Sequence, residues 1–276
     1  MNRSDSNIPV DIFAIERQSG SICYLPITNN ISISMVWCSP GKFLMGSPND
    51  HDIASDNEYP QHLVTLSRGF YIGQTPVTQE QWQGVMGTRL DWFQDEPGSE
   101  TLPVEGLEWA KAKQFCDTLT ELLKKREILT TTQSIDLPTE AQREYACRAG
   151  TSTRWYFGNE ATALCDFACF CLNSNGQTGQ VGQRKPNAWG LYDLYGNVWE
   201  WCLDDYMDYK YQIISMIDPC CLIDNYSLKV LRGGSYAEDA RDCRSARRES
   251  CVHTNPYNES TGFRVVCISS VANKEE

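Results

Sequence analysis

The 276-residue chain has no apolar run behind a basic start, and no stretch near the roughly 20 apolar residues needed to cross a bilayer. Those absences exclude a signal peptide or membrane span within the sequence and lead to the expectation of a cytoplasmic protein. Basic charge is also short. The 24 Lys and Arg stand against 36 Asp and Glu, a formal net charge of −12, which argues against a protein built to grip nucleic-acid phosphates. Histidine is scarce: His51, His62 and His253 are too far apart in sequence to suggest a histidine-rich metal centre. No nucleophile elbow, P-loop or dinucleotide-binding fingerprint is present, nor any internal repeat.

Cysteine is abundant, but 13 is an odd number in a long chain without an export signal, so reduced thiols are expected in place of a disulfide framework. The densest group, Cys165, Cys169 and Cys171, with Cys202, Cys220 and Cys221 further on, lacks paired C-x2-C spacing. Buried inert thiols are the default reading and structural zinc the alternative.

What the chain does contain is a globular composition: 41% hydrophobic and 11% aromatic residues, with eight Trp and 19 Gly, enough for a sizeable core among many turns. Residues 1–33 read as an N-terminal extension, with one apolar patch at Ile22–Ile27 suited to an edge strand. Removing residues 1–30 is therefore expected to leave a folded core. Met35 to Ser47 reads as two short strands around Pro40-Gly41. Thr78-x-x-Gln81 has capping-box spacing, Trp82, Val85 and Met86 share a helical face, and Gly87 stands where that helix should stop. A second helix is predicted over about 108–126, where Trp109, Ala112, Phe115, Cys116, Leu119, Leu122 and Leu123 recur at three- and four-residue intervals. Thr139-x-x-Gln142 opens a third, which Gly150 closes. Beyond Gly150 the helical period disappears into turns, with strand-like runs at VLRGGSY and GFRVVCI. The reading is an α+β domain over 34–270 with much irregular structure, and a tail at 271–276.

Several segments, in order, carry a family resemblance: CSPGKFLMGS, FYIGQTPVTQEQW, PVEGLEWAKAKQFC, LPTEAQREYACRAG, PNAWGLYDLYGNVWEW, and LRGGSYAEDARDCRSARR followed by GFRVV. Together they resemble the formylglycine-generating enzyme, or sulfatase-modifying factor, superfamily. The resemblance implies a C-type-lectin-like fold with few helices, short strands and much irregular structure. In calcium-bound family members a GNVWEW-like motif supplies oxygens, which here would be the carboxylates of Asp193 and Glu200 and the carbonyls of Gly196 and Val198. Calcium needs 6–8 oxygens, so other groups would complete the shell. The alternative is that Glu200 pairs with an arginine such as Arg232 or Arg264.

The family oxidases bind copper(I) through cysteines at the second and seventh positions after the GGSY-like aromatic. Here those positions are Glu238 and Cys243, so the pair of thiolates that copper(I) favours is incomplete. Copper is not expected, and Cys243 is a catalytic candidate only if the chain is nevertheless such an oxidase. The RGGSY, CRSARR and GFRVV segments also look like the C-terminal region of the variable proteins of diversity-generating retroelements, which display changeable ligand-binding residues on the same fold. By that resemblance, and because loops between fixed strands suit recognition, the candidate ligand-binding residues are Tyr236, Glu238, Asp239, Arg241, Asp242, His253, Tyr257 and Asn258. Arg244, Arg247 and Arg248 read either as an anion site or as partners of neighbouring carboxylates. The main functional expectation is a module that binds a protein or small-molecule ligand, with no general nucleic-acid or membrane partner. The alternatives are an oxidase acting on a cysteine of a sulfatase-type substrate, or another modifying enzyme of the superfamily.

Overall fold

The computed structural model describes residues 17–49, 52–90, 98–209, 216–223, 228–253 and 259–270. Five strands make the main sheet. These are β1 (Ile22–Pro26), β2 (Ser32–Cys38), β5 (Phe70–Gly73), β6 (Gln133–Asp136) and β11 (Val266–Ser269), in the order β1-β2-β5-β11-β6 and antiparallel throughout. Alternate side chains point to opposite faces of a strand, and here both faces are covered. Ile33, Met35, Trp37, Tyr71 and Cys267 enter one apolar layer, while Val36, Cys38, Phe70, Ile72 and Val266 enter the other. The register places Val36, Ile72 and Val266 in one row across three strands. Unbroken apolar runs such as Met35–Cys38 thus reflect burial on two sides.

On the first face lie helices α1 (Gln79–Met86) and α2 (Trp109–Lys125). Thr78 caps α1 through a reciprocal box with Gln81, and Gly87, at φ 70°, ends it in the left-handed region. Along α2 the buried residues are Ala112, Phe115, Cys116, Leu119 and Leu123, the apolar face its periodicity requires. Trp82 stacks on Phe115, and both meet the edge or face of Phe263. The second face receives α3 (Glu140–Arg148), capped by Thr139 with Gln142 and turned by Ala149 at φ 46°, one residue before the predicted Gly150. The hairpin of β3 (Gly41–Met45) and β4 (His62–Leu66) adds to this layer.

A second sheet, ordered β10-β7-β8-β9, comprises β7 (Trp199–Asp205), β8 (Leu228–Arg232), β9 (Arg248–Val252) and the two-residue β10 (Thr261–Gly262). It carries the motifs singled out in the sequence. The Ile22–Ile27 patch forms the edge strand expected of it, and Leu25 and Ile27 are fully buried in the core of the domain. The boundary placed at residue 33 falls inside β2. No helix among the described residues is long and apolar enough to cross a membrane. All 13 cysteines are free thiols, and the described residues contain no group of three or more His, Cys, Asp or Glu side chains able to hold a metal.

Candidate functional site

The frame of the site is a set of buried ion pairs. Glu200 follows Trp199 in β7, so while Trp199 and Trp201 enter the apolar core its carboxylate points the other way, into a fully buried position. There it is held by two guanidiniums. Arg143 of α3 donates to it at 2.7 and 3.1 Å, and Arg264 at 2.7 and 2.8 Å. Burial alone would raise the Glu200 carboxyl, but the charges of Arg143 and Arg264 outweigh it and hold the group below the usual carboxylate range. Arg232 lies opposite Glu200 in the β7–β8 ladder yet pairs with Glu144 and, at 3.3 Å, with Glu140. Of the two arginines named for Glu200 from the sequence, only Arg264 serves it, and Arg143 was missed.

This arrangement does not fit the calcium set drawn through Glu200. Both its oxygens already accept charged donors, and a divalent cation there would have to displace two guanidiniums. Asp193 is also committed: one oxygen accepts the Gly182 N–H at 2.7 Å, and burial pushes its pKa up to about 6. Gly196 and Val198 serve the turn. Gly196 (φ 69°) and Asn197 (φ 60°) are both left-handed, and a Cβ on Gly196 would sit 2.0 Å from the Cys169 carbonyl oxygen, so only glycine fits. Asn197 donates its N–H to that carbonyl at 2.7 Å and exchanges two side-chain hydrogen bonds with Gly179. Val198 is buried in the strand that follows.

That turn positions Tyr236. The Tyr236 N–H donates to the Asn197 carbonyl at 2.9 Å, and its own carbonyl accepts from the Ser174 hydroxyl at 2.9 Å. Its phenol is half-buried, and burial with the nearby carboxylates of Glu105 and Glu259 raises its pKa. Glu238, two residues on, accepts from the Trp199 indole at 3.2 Å. Arg247 lies over the same indole, 5.9 Å from the ring centroid, and bridges Asp242 at 2.6 Å and Glu249 at 2.8 Å. Glu238 therefore meets Trp199 directly and Asp242 is linked to it through Arg247, with Asp239 and Arg241 exposed on the intervening turn. His253 lies elsewhere, its carbonyl accepting the Trp109 N–H at the start of α2. Tyr257 and Asn258 lie outside the described residues.

Sequence reasoning missed Glu105, in the PVEGL segment. Burial raises its pKa to about 7, assisted by Glu259 and opposed by a hydrogen bond from Thr178 at 3.2 Å. Its only signal was a carboxylate inside an apolar stretch. Cys171 was also missed as a neighbour of this surface; its N–H donates to the Glu238 carbonyl at 3.0 Å. Arg244, Arg247 and Arg248 do not converge as an anion site. Arg244 forks onto Glu58 at 2.6 and 2.8 Å, and Arg248 onto Glu140 at 2.7 and 2.8 Å.

Cys243 lies beneath the loop. It is fully buried, its thiol meets the Ser235 carbonyl at 4.0 Å, and a Cβ on Gly234 (φ 79°) would come within 2.7 Å of its sulfur. Burial, with Asp242 and Glu238 adding to it, pushes the thiol's pKa well up, away from the thiolate that copper(I) or a nucleophile requires. Glu238, spent on an indole, offers no second soft ligand, so these two positions do not fit the copper site of the oxidases.

Residues 28–268 match the model of the sulfatase-modifying factor enzyme 1-like domain. The chaperone protein LppX of Paenibacillus barcinonensis is 32% identical over 190 residues, 54% of this chain and 66% of its own length. The formylglycine-generating enzyme of Streptomyces coelicolor is 26% identical over 81% of this chain and 86% of its own length. Against serine/threonine-protein kinase pkn1 of Chlamydia pneumoniae, 29% identical, 87% of this chain spans only 38% of that protein. Among solved structures, Treponema denticola variable protein 1 superposes with a TM-score of 0.76 at 28% identity, covering 89% of this chain and 98% of that one.

Proposed function

This chain belongs to the sulfatase-modifying factor enzyme 1-like family, and from that premise we propose that it is a recognition protein that binds a protein or small-molecule ligand through the surface around Tyr236. One observation carries the reading: the loop after β8 leaves Arg241 exposed and Tyr236 and Glu238 partly exposed above a frame of buried ion pairs, while its cysteine, Cys243, is buried beneath. A frame fixed by buried Arg–Glu pairs lets the exposed side chains serve contact without carrying the fold. The likeness to a variable protein supports the same use of this loop.

The alternative is an oxidase of the formylglycine-generating type, favoured by the likeness to the Streptomyces coelicolor enzyme over most of both chains. A thiolate chemistry at Cys243 would first have to expose and deprotonate a sulfur that burial keeps protonated.

Aromatic and arginine side chains central to an interface cost about 2 kcal/mol or more on truncation, roughly thirtyfold in affinity. Tyr236→Ala combined with Arg241→Ala is expected to weaken binding of the partner recovered with the wild-type protein by that factor at an unchanged melting temperature. Gly234→Val should instead lower the melting temperature, because a side chain there meets the Cys243 sulfur and the Asp242 carbonyl in a left-handed backbone. Undiminished binding by the double variant would refute the recognition surface. Cys243-dependent conversion of a sulfatase-type cysteine peptide to formylglycine would put the oxidase in its place.

A further inference from the structure

A cavity of about 330 Å3 lies between the segment after α3 and the stretch of chain leading into β9. Arg148, Arg154 and Arg244 line it, with Ser47, Ser152 and Asn159, and no carboxylate is among its lining residues. In a chain of net charge −12, a concave surface lined by three guanidiniums is the reverse of the overall bias.

We propose that this cavity is a binding site for a small tetrahedral oxyanion, a phosphate or the phosphoryl group of a small molecule. The donor inventory supports it. A guanidinium carries five N–H groups. Arg244 spends three, on the two oxygens of Glu58 and on the Arg241 carbonyl, which leaves two among the described residues. Arg154 spends one, on Asp52, and leaves four among the described residues. Arg148 is fixed by Glu144 and by the carbonyls of Thr153 and Gly46, so its orientation toward the cavity is already set.

The charge balance points the same way. Arg148, Arg232, Arg244 and Arg248 are all buried and, among the described residues, form ion pairs with three carboxylates, Glu58, Glu140 and Glu144, so guanidiniums outnumber their paired carboxylates by one. Asp204 accepts the backbone N–H groups of Glu140 and Cys221 and makes no ion-pair contact with an arginine among the described residues, and burial raises its pKa to about 7 despite the charge of Arg248. Arg154 adds a second cation whose partner, Asp52, is 70% exposed and therefore weakly compensating. Guanidiniums approaching from three elements suit a tetrahedral dianion better than a planar carboxylate, which one arginine fork already satisfies. The volume is at the lower end of small-molecule sites, sufficient for a phosphoryl group and a short substituent but not for a duplex backbone.

The test is calorimetric titration of the full chain with inorganic phosphate at constant ionic strength set by sodium chloride. Saturable binding is expected, with a matching rise in melting temperature. Arg154→Gln, which removes only a surface pair, should weaken binding at least tenfold; Ser152→Glu, which places a carboxylate at the exposed rim, should abolish it. Both variants should melt like the wild type without phosphate. Glycerol phosphate in the same assay separates a phosphoryl group on a small molecule from the free anion, and binding of either supports the site. Absence of saturable binding by both, wild-type affinity in both variants, or acetate binding as tightly as phosphate would overturn the proposal.

Discussion

At the residue scale, Glu200 decides what the GNVWEW motif is for. Its carboxylate neutralises Arg143 and Arg264, which come from α3 and from the segment before β11, so one side chain ties three parts of the chain together. Removing one member of a buried ionic group leaves uncompensated charge and typically costs 3–5 kcal/mol. Glu200→Gln is therefore expected to lower stability by about that amount in urea unfolding, and added calcium should not restore it. A variant as stable as wild type, or one that loses a calcium-dependent stabilisation shown by wild type, would contradict this reading. Glu105 is the contrasting case, a carboxyl that burial raises to about 7 although the Thr178 hydroxyl donates to it.

At the scale of elements, the helices were legible because their signals are local. Both capping boxes, Thr78 with Gln81 and Thr139 with Gln142, form as their spacing requires, and α2 buries the face its periodicity marks. The composition of α3 misleads: Glu140, Arg143, Glu144 and Arg148 look like a solvated surface and are all buried. Arg148 pairs with Glu144 one turn earlier, but Arg232, Arg248 and Glu200, the partners of Glu144, Glu140 and Arg143, stand 57 to 108 residues away, and no local rule couples such positions. The N-terminal strand differs from expectation for a related reason. The patch at Ile22–Ile27 was visible, but its weight in the core was not. Deleting residues 1–30 removes β1 and the buried Leu25 and Ile27. At about 1.5–3 kcal/mol for each buried aliphatic side chain, the truncated protein is expected to lose roughly 3–6 kcal/mol. Calorimetry on the truncated chain checks this, and an unchanged melting temperature would restore the reading of residues 1–33 as a detachable extension.

For the whole molecule, two sets of carboxyls have opposite pH behaviour. Glu58, Glu144 and Glu200 are buried, which would raise them, but their arginine partners hold them below their ordinary value of 4.5. They bind fewer protons folded than unfolded, so their contribution is present above that value and is lost as pH falls through the folded pKa. Asp193, Glu105 and Asp204 are raised by burial to about 6, 7 and 7. Between their unfolded values of 3.8 to 4.5 and those folded values, the native state holds more protons than the unfolded one, and stability declines as pH rises. The expected stability maximum is near pH 4.5–5, at about the pH where the two trends meet. Glu105→Gln should reduce the decline between about pH 5 and 7. Urea midpoints across that range measure both, and stability that climbs from pH 5 to 7 in the wild type would show that the raised carboxyls do not govern it.

The sequence by itself determined the elements whose causes lie within a few residues: the capped helices, apolar runs such as Met35–Cys38 in the five-stranded sheet, and the family motifs. Tertiary structure decided which charges are partners and which thiols are reachable. Arg232 faces Glu200 across a ladder but reaches Glu144, and Cys243 sits in an exposed-looking polar segment yet packs beneath Gly234. Pairing and burial depend on distances between segments far apart in the chain, and only the closed fold sets those distances.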